Sequence, residues 1–233
     1  MKKFKHFVII KFDYPDEYEF LDVKKQQLRW TCLESLRKQT NTEFVMVFNS
    51  SIPMPHEGFG ELIVSTTWKD KVRDAAKDYE YVITTRLDGD DFVGPDFIQN
   101  IQDNFEESDK MVFVSGGWIY DFKTKRLTNN WMAKSYTTNY ISFIEKADNI
   151  ETCYVRAHGK MKDYYNVKRD AKRTHIWVIN EESLRAGLQR DGKYTDKFED
   201  IRDTLFAEGD YFKDIINRVD VFNNKILAAK DEN

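Results

Sequence analysis

Cysteine, proline and glycine are all scarce in this sequence, which has 2, 4 and 10 of them among its 233 residues. Cys32 and Cys153 are too far apart to give the paired spacing of a zinc site, and they are too few to build a disulfide framework. A reduced, cytoplasmic protein is therefore expected. The scarcity of proline and glycine also leaves no flexible linker and no low-complexity segment that would divide the chain.

The sequence also has no long apolar run and no excess of positive charge. The apolar residues 7–10 follow two lysines as in a signal sequence, but Lys11 and Asp13 interrupt them before they reach the length of a signal core or a membrane span. The formal net charge is −4, so the chain as a whole has no electrostatic signature of nucleic-acid binding, although this balance allows a local basic patch. We therefore expect no membrane span.

Segments with strand and helix patterns alternate through the first half of the chain. Hydrophobic periodicity predicts strands at residues 7–12, 44–48, 62–64 and 81–87 and helices at residues 19–38, 68–77 and 94–105. This alternation predicts an α/β, Rossmann-like fold with a mostly parallel central sheet flanked by helices. With 41% hydrophobic residues, the chain can fill the core of such a domain.

The second half of the chain has a different pattern. Strand-like runs occur at residues 111–115, 118–120, 127–132, 141–144, 152–155 and 176–179, and helices are predicted at residues 181–189, 198–206 and 211–219. The run at 127–132 is expected to form a hairpin with the strand before it. We therefore predict one domain over residues 1–233, with a small antiparallel addition and C-terminal helices.

Three carboxylates follow the predicted strand that ends near Leu87. They are Asp88, Asp90 and Asp91, and with Gly89 they form the segment that we call the acidic turn (residues 88–91). It would lie at the carboxyl end of a strand, where open α/β sheets bind ligands. Crowded carboxylates repel each other, and a divalent cation such as Mg²⁺ or Mn²⁺, which often binds together with phosphates, would remove that conflict. The alternative is a solvated acidic turn that only caps the following helix.

Several of these motifs together resemble the family 2 glycosyltransferases of the GT-A fold. The similar segments are residues 33–40 followed by 44–47, Arg73, and Leu87–Asp91 followed by Pro95–Phe97, all within about residues 5–120. The version Thr85–Asp91, with Arg29 and Ser35 upstream, is similar to a rhamnosyltransferase-like group of that family. The family's acidic pair after the second strand is replaced here by residues 48–51. Its Glu-Asp base motif is not recognisable, because Glu199–Asp200 has the charged surroundings of a solvated helix face.

The resemblance implies a nucleotide-sugar donor, UDP-, dTDP- or GDP-linked, and transfer of its sugar to a hydroxyl acceptor, for which a glycan precursor is favoured. It also implies Mn²⁺ or Mg²⁺, with Asp90 as metal ligand and Asp88 as ribose or metal contact. Asp91 would orient these residues without contacting the metal itself. Other residues assigned to donor binding are Asp13, Arg73 and Arg86. Residues 1–120 would form the nucleotide-sugar-binding half, residues 121–190 the acceptor or lid half, and residues 191–233 the C-terminal helices.

Residues of the second half complete the predicted site. Enzymes of this fold often add a histidine ligand to the metal, and His158, which follows a strand-like run, is favoured over His175. An inverting transferase needs a carboxylate base near the acceptor, and the candidates are Asp163, Glu145 and Asp200. Asp163 is predicted to be catalytic together with the three aspartates of the acidic turn. Trp118 is predicted to stack on the acceptor sugar.

A basic segment at residues 156–173 contains seven Lys or Arg and two acids. It is interpreted either as a solvated surface or as a flexible lid over the diphosphate, with Lys160, Lys162, Arg169 and Arg173 as phosphate contacts. A third interpretation is a nucleic-acid-binding surface, which would suit a transferase that acts on modified bases in DNA. A non-catalytic carbohydrate- or metal-binding module is a further alternative.

Overall fold

The computed structural model describes residues 2–12, 14, 21–54, 60–122, 124–129, 140–179 and 210–231. The strands in these ranges are β1 (Lys2–Lys11), β2 (Val45–Asn49), β3 (Glu61–Val64), β4 (Tyr79–Asp88), β5 (Phe92–Val93), β6 (Lys110–Asp121), β7 (Arg126–Asn129), β8 (Ile141–Lys146) and β9 (Asn166–Ile179). They form one nine-stranded sheet in the order β3-β2-β1-β4-β8-β6-β9-β5, and β7 pairs with β6. The strands predicted in the first half of the sequence are therefore confirmed.

The sheet is mostly parallel in strand direction. β1 is parallel to β2 and β4, β2 to β3, and β6 to β9. Because β8 is antiparallel to both β4 and β6, these two point the same way, and β3, β2, β1, β4, β6 and β9 share one direction. The shorter β5 and β7 are antiparallel to their neighbours. The predicted α/β architecture, a mostly parallel central sheet flanked by helices with a small antiparallel addition, is confirmed.

Helices cover both faces of the sheet. They are α1 (Leu21–Leu28), which continues through a π-helical segment (Arg29–Leu33) into α2 (Glu34–Arg37), then α3 (Trp68–Ala75), α4 (Phe97–Asp103), a 3₁₀ helix (His158–Asp163) and α5 (Asp210–Asp231). The run in β1 from Phe7 to Ile10 is fully buried because its side chains alternate between two apolar clusters. Val8 and Ile10 face α1, α2 and α4, whereas Phe7 and Ile9 face α3.

The basic segment is not a flexible lid. Its last eight residues, Asn166–Arg173, belong to β9, which pairs in parallel with β6, and the residues before them include the 3₁₀ helix His158–Asp163, so the interpretation as a flexible lid is wrong. A β-bulge interrupts the pairing near Gly116, where Arg173 is its partner. Apolar residues that alternate in the last part of β9 bury it against β6, and the charged residues before them continue the same strand.

The run at residues 152–155 is not a strand either. It belongs to residues 147–156, a segment we call the strap, which lies on the α3 side of the sheet. Cys153 is buried in that cluster, and its backbone N–H donates to Thr84 Oγ1 of β4 at 2.8 Å. Apolar residues occur here because the strap packs on the sheet face, which a sequence pattern cannot separate from joining the sheet.

The C-terminal part of the chain is described as far as α5. Its residues Ile215, Ile216 and Val219 are buried against the end of the sheet formed by β5, β6 and β9. The helices predicted at residues 181–189 and 198–206 lie outside the described residues. Within the described ranges, no helix combines the length and apolar character needed to cross a membrane.

Candidate active site

The acidic turn lies at the carboxyl end of β4, next to the carboxyl end of β1. Lys11 and Asp88 are partners in the parallel register of the two strands. On one side of β1 the sheet continues with β2 and β3, and on the other it continues with β4, so the strand order reverses between β1 and β4. Such a reversal leaves a crevice outside the carboxyl ends of the strands, which is where open α/β sheets bind ligands.

Gly89 allows the acidic turn to approach the helix that follows β1. A Cβ atom at this position would lie 3.3 Å from Leu28 Cδ1 and 3.4 Å from Phe12 Cδ2. Positive φ among the described glycines occurs at Gly60, so Gly89 is not required by a left-handed backbone conformation. The absence of a side chain at Gly89 instead brings the carboxylates close to α1 and the π-helical segment.

Asp88 is held by the arginine two residues before it. Arg86 Nε and Nη2 donate to Asp88 Oδ1 at 3.2 Å, and Nη2 also lies 3.3 Å from Oδ2. Side chains alternate along a strand, and since Leu87 faces the α1 side, Arg86 and Asp88 share the α3 side. Both side chains are mostly buried, with exposed fractions of 18% and 22%. This pair offsets one of the negative charges of the acidic turn.

Asp91 faces the interior of the protein. It is 1% exposed, and its Oδ1 accepts the backbone N–H of Val178 in β9 at 2.9 Å. Burial, followed by the charges of Asp90 and Asp88, raises the pKa of Asp91 well above its usual value. Asp91 therefore joins the acidic turn to β9, which agrees with a supporting role behind the other two acids rather than with direct contact to a substrate.

The arrangement of these acids limits the kind of metal site that they can form. No three His, Cys, Asp or Glu side chains among the described residues are grouped so that they could hold a metal ion on their own. Mg²⁺ commonly takes only one or two carboxylates and completes its shell with substrate phosphates and water. Asp90 and Asp88, both half-buried, fit a metal of that kind, whereas a cage made by the protein alone does not fit.

An aromatic side chain that the sequence analysis did not single out lies behind Arg86. Tyr154 of the strap has its ring centroid 5.4 Å from the Arg86 guanidinium carbon. Its other neighbour is Trp68, the first residue of α3, at 5.7 Å between ring centroids and an interplanar angle of 71°. The sequence placed Tyr154 in a strand, and no local pattern indicates that a segment this far along the chain reaches β4.

The predicted residues of the basic segment are divided between distant parts of the sheet. Lys160 is exposed in the 3₁₀ helix before β9, and Arg169 is exposed within β9 at the level of Val114. Arg173 lies further along β9, and its guanidinium is 5.9 Å from the ring centroid of Trp118. Trp118 itself is 4% exposed and packs in the apolar cluster under α5, so its predicted stacking on an acceptor sugar is wrong.

Asp163 and Glu145 are not placed to act as the catalytic base, and these predictions are wrong. Asp163 lines an open cleft of about 850 Å³ with Lys110 and Asn166, which begin β6 and β9. That cleft is at the amino end of these strands, opposite the acidic turn. Glu145 is fully buried and accepts the backbone N–H groups of Glu151 and Thr152 at 2.8 Å each.

Arg73 is engaged away from the acidic turn. Its guanidinium donates to Asp70 Oδ1 at 2.8 Å and to the carbonyl of Ile150 in the strap at 3.3 Å. Among the described residues it makes no hydrogen bond to the carboxylates that follow β4. Its predicted contact with the donor is therefore not supported by this geometry, and its observed role is to fasten the strap to α3.

Of the two candidate histidines, His175 belongs to the core. Its ring is fully buried and stacks on Tyr140 at 3.9 Å between centroids, and burial lowers its pKa to about 3. The imidazole of His158 lies outside the described side chains, so its role as metal ligand stays a prediction. Asp13 and the pair Glu199–Asp200 also lie outside the described residues.

Comparisons with known proteins give remote similarities of fold. No family model matches the chain, and no curated protein does. The crystal structure of S. aureus TarS 1-349 in complex with UDP-GlcNAc is similar with a TM-score of 0.49 and 15% identity, covering 78% of this chain and 60% of that one. The UDP complex of the same TarS fragment gives 0.45 and 13%, covering 78% of this chain and 62% of that one.

A proposed nucleotide-diphospho-sugar transferase from Desulfovibrio desulfuricans G20 is similar over 94% of this chain and 97% of its own, with a TM-score of 0.40 and 9% identity. This chain thus spans less than two thirds of the TarS fragments and nearly all of the Desulfovibrio protein. Similarity at this level concerns the fold, so a function for this chain has to come from its own site.

Proposed function

We propose that this protein is a glycosyltransferase that moves a sugar from a nucleotide-sugar donor to a hydroxyl group of an acceptor. The donor would be UDP-, dTDP- or GDP-linked, and the acceptor a glycan precursor. One observation carries this proposal: half-buried carboxylates lie at the carboxyl edge of the sheet at the point where the strand order reverses between β1 and β4. The resemblance of residues 85–91 to glycosyltransferase sequences agrees with this location.

The residues of the acidic turn divide the work of holding a donor. Arg86 neutralises and orients Asp88, Asp91 anchors the turn to β9, and Asp90 and Asp88 are the acids that would hold Mn²⁺ or Mg²⁺ together with the donor's phosphates. When bound, such an ion acts as a Lewis acid that stabilises charge on the leaving diphosphate. The carboxylate that removes the acceptor proton is not assigned, since Asp200 lies outside the described residues.

The alternative of a nucleic-acid substrate has little support from the basic segment. Lys168 pairs with Glu106 at 2.6 Å and Lys172 with Asp96 at 3.1 Å. These pairs leave fewer cations available to neutralise phosphates along β9. A turnover assay distinguishes a non-catalytic binding module from a transferase, because the module would bind the donor without releasing nucleoside diphosphate.

The experiment that tests the proposal is a thermal-shift screen of UDP-, dTDP- and GDP-sugars with and without Mn²⁺, followed by assay of donor hydrolysis. One donor should raise the Tm, since a ligand that binds only the folded state stabilises it. Asp90→Asn should leave the Tm of the free protein nearly unchanged and lower Mn²⁺-dependent hydrolysis about 10- to 100-fold, because a charged contact is lost.

A matched control is Asp74→Asn, which changes an exposed carboxylate at the end of α3. It should leave both measurements unchanged. If Asp90→Asn kept full Mn²⁺-dependent hydrolysis, the assignment of Asp90 as a metal ligand would be wrong. If no sugar nucleotide shifted the Tm of the wild type, the proposed function itself would be wrong.

A further inference from the structure

Tyr154 connects the strap to the acidic turn through a single arginine. Its ring is fixed on one side by the edge-on contact with Trp68 and lies 5.4 Å from the guanidinium carbon of Arg86. Arg86 in turn makes its hydrogen bonds to Asp88. Aromatic ring, guanidinium and carboxylate therefore form a row on the α3 side of the sheet that ends at the acidic turn.

An arginine in this environment depends on its neighbours for its orientation. The side chain has several rotatable bonds, and a planar guanidinium keeps one direction only when a flat partner and hydrogen-bond acceptors fix its plane. Asp88 supplies the acceptors and Tyr154 supplies the ring. Without the ring, the guanidinium could leave Asp88 and take up other orientations in the space that the ring occupied.

The strap is built so that Tyr154 reaches this position. Both carboxylate oxygens of buried Glu145 accept hydrogen bonds from the strap, one from the N–H of Glu151 and one from that of Thr152. Thr152 has φ of 73°, which is unfavourable for a β-branched residue and persists only where the surroundings hold it. The N–H of Cys153 then donates to Thr84 Oγ1, and Tyr154 follows directly.

The hydroxyl group of Tyr154 is not what holds it there. Tyr154 Oη is buried and makes no hydrogen bond within the described part of the chain. A buried hydroxyl without a partner opposes folding rather than assisting it, so the ring is the part of the side chain that the fold uses. Phenylalanine would keep the ring and its contacts with Trp68 and Arg86, whereas leucine would remove them.

We infer that Tyr154 is a positioning residue of the donor site, whose ring holds Arg86 in the orientation that engages Asp88. The inference rests on the proposed function, because it assigns the purpose of this row of side chains to donor binding. It adds a residue from the second half of the chain to a site whose other members lie between Arg86 and Asp91.

The test compares Tyr154→Leu and Tyr154→Phe with the wild type by calorimetric titration of UDP, dTDP and GDP in the presence of Mn²⁺, using whichever binds the wild type most tightly. Tyr154→Leu should raise the Kd about 5- to 30-fold, the range expected when a partly desolvated cation–π contact is lost. Tyr154→Phe should stay within about twofold of the wild type, since it retains the ring. Titrations well below each variant's Tm separate binding from loss of fold.

Tyr164→Leu is the matched control. Tyr164 also has an arginine over its ring, Arg156 at 3.7 Å, but it lines the cleft at the opposite end of the sheet. This variant should leave the Kd unchanged. A double-mutant cycle then tests the route through the arginine: in an Arg86→Gln background, Tyr154→Leu should weaken binding no further.

The possible failures are distinguishable. If none of the three nucleotides binds the wild type, the proposed function is wrong and this inference is wrong with it. If a nucleotide binds the wild type and Tyr154→Leu alike, or if the effects of Arg86→Gln and Tyr154→Leu add, the inference alone is overturned. A Kd raised equally in Tyr154→Phe would also overturn it, since the hydroxyl would then be the functional group.

Discussion

The acids of the acidic turn differ because different elements surround them. Asp88 lies beside Arg86, so its charge is paired, whereas Asp91 is enclosed and accepts a hydrogen bond from β9. Asp90 is between them and half-buried. The sequence predicted which residues form the turn but not which way each carboxylate points. In a turn those directions depend on strands that pair with it from elsewhere in the chain, here β9.

At the same scale, the structure predicts that Gly117 cannot be replaced even by alanine. A Cβ atom there would overlap His175 Nε2, and the imidazole is fully buried and stacked on Tyr140, so it has no space to move. Gly117→Ala should lower the free energy of unfolding by about 2 to 3 kcal/mol, as overpacking of a core does. Urea denaturation measures this.

The rescue variant for this prediction is Gly117→Ala combined with His175→Ala, which removes the ring that the methyl group would meet. The double variant should lose less stability than the sum of the losses of the two single variants. The added methyl group clashes with the ring of His175 in Gly117→Ala, and this clash is absent once the ring is removed. Additive losses would show that the close approach at Gly117 is relieved in some other way.

At the scale of elements, the buried carboxylate of Glu145 has a structural role, because it accepts hydrogen bonds from the strap. The pKa of Glu145 is raised to about 7 by burial, although the N–H donors of Glu151 and Thr152 and the charge of Lys110 oppose that change. The charge of Glu151 acts in the same direction as burial. From sequence alone Glu145 was a candidate for the catalytic base. A carboxylate at the end of an apolar run gives no indication of which donors will form hydrogen bonds to it.

The raised pKa makes stability depend on pH in a definite direction. A carboxyl group whose pKa is higher in the folded than in the unfolded protein favours folding most below its ordinary pKa near 4.5, and this contribution is lost as the pH rises through about 7. The unfolding free energy of the wild type relative to Glu145→Gln should therefore fall by at most roughly 3 kcal/mol between pH 4.5 and 8. Urea titrations at several pH values measure it.

A control for this experiment is Asp109→Asn, which changes an exposed carboxylate paired with Lys146 in the same region. Its difference from the wild type should not vary with pH in this window. A constant difference between the wild type and Glu145→Gln would mean that Glu145 titrates normally, and the burial of its charge would then have no effect on folding.

At the scale of the whole molecule, α5 covers an end of the sheet whose strands β5, β6 and β9 all precede it in the chain. Its buried residues pack on Phe92 and Trp118, and Asp220 of the same helix pairs with Lys125 at 2.9 Å and accepts a hydrogen bond from Tyr120 at 2.7 Å. The end of the sheet that carries β5 and β9 is therefore covered by the last described element of the chain, and the acidic turn joins the same region through Asp91.

Two valines on α5 test whether this helix is part of the cooperative fold. Val219 is fully buried, whereas Val221 is 48% exposed. Val219→Asp should lower the free energy of unfolding by about 3 kcal/mol or more, since it buries a carboxyl group without a partner. Val221→Asp should change it by no more than about 0.5 kcal/mol. Thermal unfolding of both variants measures this difference. Equal Tm values for Val219→Asp and Val221→Asp would mean that α5 does not stabilise the domain.

The sequence by itself determined the alternating strands and helices of the first half and the position of the acidic turn after β4, because hydrophobic periodicity and turn residues are local properties. Only the tertiary structure decided that β9 lies inside the sheet, that the strap crosses its face, and that Tyr154 lies behind Arg86. These features depend on pairing and packing between residues far apart in the chain, and such contacts leave no pattern in any short stretch of sequence.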